Sequence, residues 1–189
     1  MYFSYDEKQY LSNDEKNRDM SSQILEILTQ EVFQLTAKIR TNREIASFIK
    51  PLFYLIVMRK LTIQIIQTLN YIIAPRKKEV ISLSKFLQEK GWKVPRYTPG
   101  TRSTFKYEGY GIANEKSAHA VIGQEFDRVV AVIDETFRYD INGKLVASNS
   151  CYSQRQMLYQ ILTRTRQKLF VIILDNETML KRCLEILRK

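Results

Sequence analysis

Ser117-Ala-His-Ala-Val-Ile-Gly-Gln-Glu-Phe-Asp127 runs almost directly into the apolar Val129-Val-Ala-Val-Ile133, and this join decides the fold. An unbroken apolar run is the pattern of a strand covered on both faces, as in a parallel sheet. A polar, glycine-bearing loop placed just before such a strand lies at a sheet edge, where binding residues concentrate. His119, inside that loop, is the only histidine of the chain.

Working outward, Phe137-Arg-Tyr-Asp-Ile-Asn-Gly-Lys-Leu-Val146 predicts a hairpin closed by Asn142-Gly143. A helix from about Ser153, a second buried strand at Leu169-Phe-Val-Ile-Ile-Leu174 and a last helix to Leu187 follow. Upstream, Val80, Leu83, Phe86 and Leu87 share one face of a helix that Gly91 stops, and Trp92-Lys-Val-Pro-Arg-Tyr97 reads as a strand. Near the start, Ser21-Ser22 cap a helix carrying Ile24, Leu25, Ile27 and Leu28, and Val32-Phe-Gln-Leu-Thr36 is a short strand. A helix from about Asn42 to Lys50 comes next, ended or kinked by Pro51. Strands alternating with helices predict an α/β fold with a parallel sheet flanked by helices.

Residues 52–74 fit this order least well. Ile65, Ile66, Leu69, Ile72 and Ile73 recur at helical spacing. A membrane span needs about twenty mostly apolar residues, and Arg59, Lys60, Gln64, Gln67 and Asn70 interrupt the run, so no membrane partner is expected.

At 189 residues the chain can bury a real core, as one domain with a smaller appendage. Thirty Lys and Arg against twenty Asp and Glu leave a formal charge of +10, which favours a polyanionic partner through phosphate attraction and counterion release. Cys151 and Cys183 lie far apart, with no Cys-x-x-Cys pair, so no metal site is expected and reduced thiols in the cytoplasm are the default.

Four stretches resemble motifs of superfamily 1 DNA/RNA helicases, in the family's order. Ser117, His119, Gly123, Glu125 and Phe126 resemble motif V; Asp6-Glu-Lys-Gln9 resembles motif III, with Tyr5 where a glycine is usual. Leu35-Thr-Ala-Lys-Ile-Arg-Thr-Asn-Arg-Glu-Ile45 resembles motif IV, and Leu158-Tyr-Gln-Ile-Leu-Thr-Arg-Thr-Arg166 resembles motif VI. Individually such short matches are weak, but an ordered set in sensible strand contexts is not. The wording around Gly123-Gln-Glu-Phe-Asp127 is closest to the Schlafen-group helicase-like domain.

The resemblance implies a RecA-like fold of the P-loop NTPase class. Residues 1–31 would be the tail of a first RecA-like domain and 32–189 the second, with 51–80 atypical, as a divergent insertion or an out-of-frame segment. It further implies that Arg164 and Arg40 meet the γ-phosphate, that Gln9 senses it, and that Glu125, Gly123 and Arg166 touch the nucleotide. His119, Ser117, Arg102 and Lys106 would contact single-stranded DNA or RNA. Trp92, Tyr97, Phe105, Tyr107 and Tyr110, beside Arg96, Arg102 and Lys106, offer a stacking surface or else core aromatics.

No Gly-x-x-x-x-Gly-Lys-Ser/Thr loop occurs in the chain, and no acidic pair is assigned the holding of magnesium. ATP and Mg2+ are therefore expected only together with a missing N-terminal, separately encoded ATP-binding half. The competing expectation is a stand-alone, non-catalytic nucleic-acid-binding module.

Overall fold

The computed structural model describes residue 23 and residues 41–55, 69–74, 76–98, 115–147 and 152–188. The expected helix after Ser21-Ser22 and the strand at 32–36 lie outside the described residues, residue 23 apart. So do Phe105, Tyr107 and Tyr110.

Helix α1, Arg43–Phe53, starts where Asn42 accepts the Ile45 N–H on its side chain at 2.8 Å. Ile45, Phe48, Ile49 and Leu52, at i, i+3, i+4 and i+7, are its buried stripe. The helix does not end at Pro51 but continues to Phe53. Pro51 removes only the N–H that would meet the Ser47 carbonyl, and the carbonyls at the helix end, orphaned in any helix, are satisfied from elsewhere in the fold. Arg182 donates from Nε and Nη2 to the Pro51 carbonyl at 3.3 and 3.0 Å and from Nη2 to the Tyr54 carbonyl at 3.3 Å. The Tyr139 hydroxyl donates to the Leu52 carbonyl at 2.7 Å.

Strand β1, Leu69–Ala74, corrects the helical reading at Leu69, Ile72 and Ile73; Ile65 and Ile66 lie outside the described residues. Its central residues are exposed, with Tyr71, Ile72 and Ile73 at 41, 42 and 53 %. Such an edge strand shows no period of two, and its isoleucines happen to match a helical spacing. Helix α2, Lys77–Glu89, buries Val80, Ser84 and Leu87, while Phe86, expected inside, is 52 % exposed. Gly91 stops it at φ +82°, as expected. Of the stretch 51–80, residues 51–53 complete α1, 69–74 join the sheet and 77–80 open α2; residues 56–68 lie outside the described set.

Residues 92–97 make only single parallel bridges, Lys93 to Val129 and Arg96 to Ser117, rather than a full strand. Pro95 has no N–H for a ladder, which confines this segment to the rim of the sheet. Trp92 and Tyr97 are core residues, not a stacking surface: Trp92 meets Phe170 edge to face at 5.7 Å, and the Tyr97 hydroxyl donates to the Val132 carbonyl at 2.6 Å.

The remaining elements are β2 (Phe126–Ile133), β3 (Arg138–Tyr139), β4 (Leu145–Val146), α3 (Gln154–Thr163), β5 (Thr165–Leu174) and α4 (Glu177–Leu187). The β3–β4 hairpin forms as predicted, but its turn is not the two-residue type expected of Asn-Gly. Gly143 takes φ +69° while Asn142 keeps a negative φ, and the Asp140 carboxylate accepts the N–H groups of Asn142 and Lys144 at 2.9 and 2.8 Å.

The sheet runs β1-β5-β2, with both neighbouring pairs parallel and β5 in the middle. Its apolar centre, Val129 to Ile133 against Leu169 to Leu174, is buried except for the half-buried Phe170, as the two unbroken runs predicted. The molecule is thus α/β, a three-stranded parallel sheet flanked by helices. Among the described residues no helix is long and apolar enough to cross a membrane.

Candidate functional site

Strands β2 and β5 start charged and turn apolar: β2 opens Phe126-Asp-Arg and β5 opens Thr165-Arg-Gln-Lys, and these starts lie side by side. The pairing steps from Phe126–Thr165 to Arg128–Lys168, so β5 carries one extra residue across this interval. A bulge of this kind bends a strand and re-aims its side chains, and it occurs preferentially beside functional sites. Asn42 stabilises the irregular stretch by donating from Nδ2 to the Gln167 carbonyl at 3.3 Å.

The loop before β2 is built on a short turn. Ala118 donates to the Arg96 carbonyl and Arg96 to that of Lys116, at 2.8 and 3.0 Å, while Ala118 and Val121 are buried as anchors. Gly123 adopts φ +80°, where a side chain is disfavoured, and reverses the chain into β2. Ser117 caps the turn, its Oγ accepting the Ala120 N–H at 3.3 Å.

His119 is half-buried. Its Nδ1 lies 2.6 Å from the Thr98 hydroxyl, and its ring meets Tyr152 edge to face at 4.6 Å. That is a held side chain, so one of its two nitrogens is engaged within the fold.

Arg164 sits where α3 gives way to β5. Its carbonyl accepts the Phe126 N–H at 2.9 Å, which joins the end of the helix to the end of the loop. Its side chain is turned inward, 2 % exposed, with Nη2 donating to Gln160 Oε1 at 2.6 Å one helical turn earlier. Arg166, by contrast, is exposed and lies 3.8 Å from Glu125. An exposed pair at that distance contributes about 0–1 kcal/mol, so both groups are available to a ligand. Thr41 donates from its hydroxyl to the Thr163 carbonyl at 2.9 Å, which brings the residue after Arg40 against the residue before Arg164.

The structure therefore collects Gly123, Glu125, Arg164 and Arg166 at the amino ends of β2 and β5, with Ser117 and His119 farther along the same loop. Gln9, Arg40, Arg102 and Lys106 lie outside the described residues. Beside Glu125 and Arg166 runs a groove of about 540 Å³ lined by Gly91, Lys93, Glu125, Phe126, Asp127, Arg128 and Arg166. Lys93, Arg128 and the neighbouring Lys168 were not singled out from the sequence; the available signal was the charged start of each buried strand. Among the described residues no group of three or more His, Cys, Asp or Glu side chains is arranged to hold a metal ion. Comparison with protein-family models, with curated proteins and with solved structures finds no match.

Proposed function

We propose that this chain is the second RecA-like part of a superfamily 1 helicase or translocase, lending arginines and nucleic-acid contacts to an ATP site held by another domain. The observation that carries this reading is convergence. The stretches that resemble motifs IV, V and VI are far apart in sequence, yet the Thr41–Thr163 and Phe126–Arg164 hydrogen bonds bring their ends together. A shared ATP site requires that meeting.

The position of the cluster supports the same reading. Open α/β sheets usually hold their own ligands beyond the carboxyl ends of the strands. This cluster lies at the amino ends, which suits residues that reach across a cleft to a nucleotide cradled elsewhere. A guanidinium there would stabilise charge growing on the departing γ-phosphoryl group, bidentately and without proton exchange. Mg2+ and the phosphates would be held by the partner half, since this chain lacks the phosphate loop. For Arg164 the role requires its guanidinium to leave Gln160 when that half docks.

A second reading, a nucleic-acid-binding module without an engine, is favoured by the burial of Arg164 on Gln160. One experiment separates the two: nucleic-acid-stimulated ATPase of this chain joined to an ATP-holding half, with and without Arg164→Lys. The helicase reading expects a loss of at least about tenfold, roughly 1.4 kcal/mol on the barrier. Unchanged ATPase would refute the role of Arg164 and leave the binding module.

A further inference from the structure

We infer, resting on the nucleic-acid part of the proposed function, that a single unpaired guanine of the bound strand enters a cavity between α2, the rim segment and the loop before β2. Gln88, Lys93, Glu115 and Lys116 give this cavity its polar lining, and Pro95, Val121 and Phe126 its apolar lining. The rim and the loop are tied together by backbone, the Arg96 N–H donating to the Lys116 carbonyl at 3.0 Å. A volume of about 190 Å³ is room for about six waters, so a base fits while its sugar and phosphate stay outside.

Glu115 is the group that selects. It is only 9 % exposed, and Gln88 holds its carboxylate by donating from Nε2 to Oε1 at 2.8 Å. Among the described residues neither Lys93 nor Lys116 forms an ion pair with it; Lys116 instead donates from Nζ to Gln124 Oε1 at 2.6 Å. A carboxylate withdrawn from water is costly unless its oxygens find donors, and one amide N–H fills only one of its roughly four acceptor sites. The cavity therefore suits a ligand with apolar faces and several N–H groups along one edge.

Among the bases, guanine meets that requirement. Its N1–H and N2–H lie side by side and both donate to one carboxylate, with O6 beside them to accept from an ammonium such as that of Lys93. Adenine and cytosine set a ring-nitrogen acceptor next to their amino group, which a carboxylate repels, and thymine or uracil offers a single N–H between two carbonyls. Such edges are open to a protein in an unstacked single strand. The cavity shares Lys93 and Phe126 with the groove of about 540 Å³, which gives the sugar and phosphate of a seated base a place to lie. Arg128 and Arg166 in that groove are offset by Glu125 and Asp127, so the base rather than phosphate charge decides the ligand.

The test is a fluorescence-anisotropy titration of the 189-residue chain with labelled oligothymidylates that carry guanine, hypoxanthine or no substitution at the central position. A bidentate contact to a base edge discriminates strongly, so the guanine strand should bind about tenfold tighter than the all-thymine strand. Hypoxanthine lacks the 2-amino group and should lose most of that gain. In E115Q, which turns one of the two acceptors into a donor, the preference for guanine should vanish. Equal binding of the three strands, a hypoxanthine strand as tight as the guanine strand, or an unchanged preference in E115Q would each overturn the inference. Displacement of the guanine strand by equimolar GMP would assign the cavity to a free nucleotide and overturn the strand as its source. Should E115Q not fold, the comparison of guanine with hypoxanthine carries the test with the protein unaltered. Failure of the unsubstituted chain to bind any strand at low salt would instead remove the nucleic-acid part of the proposed function, and the guanine site with it.

Discussion

Replacing Arg182 by alanine tests how the carbonyls at the end of α1 are satisfied. Arg182 reaches from α4 with three hydrogen bonds to the carbonyls of Pro51 and Tyr54, and it is only 9 % exposed. A hydrogen bond from a charged donor is worth about 1.5–3 kcal/mol, and a buried carbonyl left without its partner costs about 1–3 kcal/mol. These figures overlap rather than add, since the same carbonyls enter both, so R182A should cost about 3 kcal/mol. For a chain of this size each kcal/mol moves the melting midpoint by about 2–4 °C, which gives a drop of roughly 6–12 °C. Thermal melting followed by circular dichroism, with urea unfolding to check that the m-value is unchanged, measures it. E185Q is the control: the Arg182–Glu185 pair at 3.1 Å has a largely exposed carboxylate, so its loss should cost less than about 1 kcal/mol. If R182A were no worse than E185Q, the α1 carbonyls would not depend on Arg182, and the account of how the helix end is held would fail.

Two further outcomes follow from the geometry. Gly123→Ala meets nothing within 4 Å but must hold φ +80°, so it should cost about 1–2 kcal/mol in urea unfolding without creating a clash; a neutral result would mean that the loop relaxes to another conformation. Burial pushes the Cys183 thiol up to about 12, so the folded chain keeps a proton that an unfolded thiol loses near its ordinary value of about 8.5. Stability should therefore fall between those two values by about 1.4 kcal/mol per pH unit through this group, and urea midpoints of Cys183→Ala should lack that part of the decline.

The sequence was most legible where one force dominates. Val129-Val-Ala-Val-Ile133 and Leu169-Phe-Val-Ile-Ile-Leu174 are covered on both faces, so hydrophobic burial wrote unbroken runs there; Asn42 and Ser153 marked helix starts because their side chains meet orphan backbone donors. Leu69–Ala74 was misread because an edge strand with exposed isoleucines carries neither periodicity. Pro51 misled because it stands two residues before the helix end, where it removes only the N–H that would meet the Ser47 carbonyl. Within the site, the Glu125–Arg166 neighbourhood was readable as two motif-like segments, but the bulge on β5 and the inward turn of Arg164 were not. Arginine is seldom fully buried, and only Gln160, one turn earlier, hinted at a partner.

The central place of β5 also sets the order in which the protein can be made. Among the described strands, β1 pairs with β5 alone, so that ladder cannot close until residues 165–174 have left the ribosome. Roughly ninety residues separate Ala74 from Thr165, and at about 5–20 residues per second their synthesis takes on the order of ten seconds. Through that interval Tyr71, Ile72 and Ile73 wait without their β5 partner, an apolar segment of the kind that chaperones hold. Slowing translation over 75–164 should therefore lower the yield of native protein even though no residue has changed.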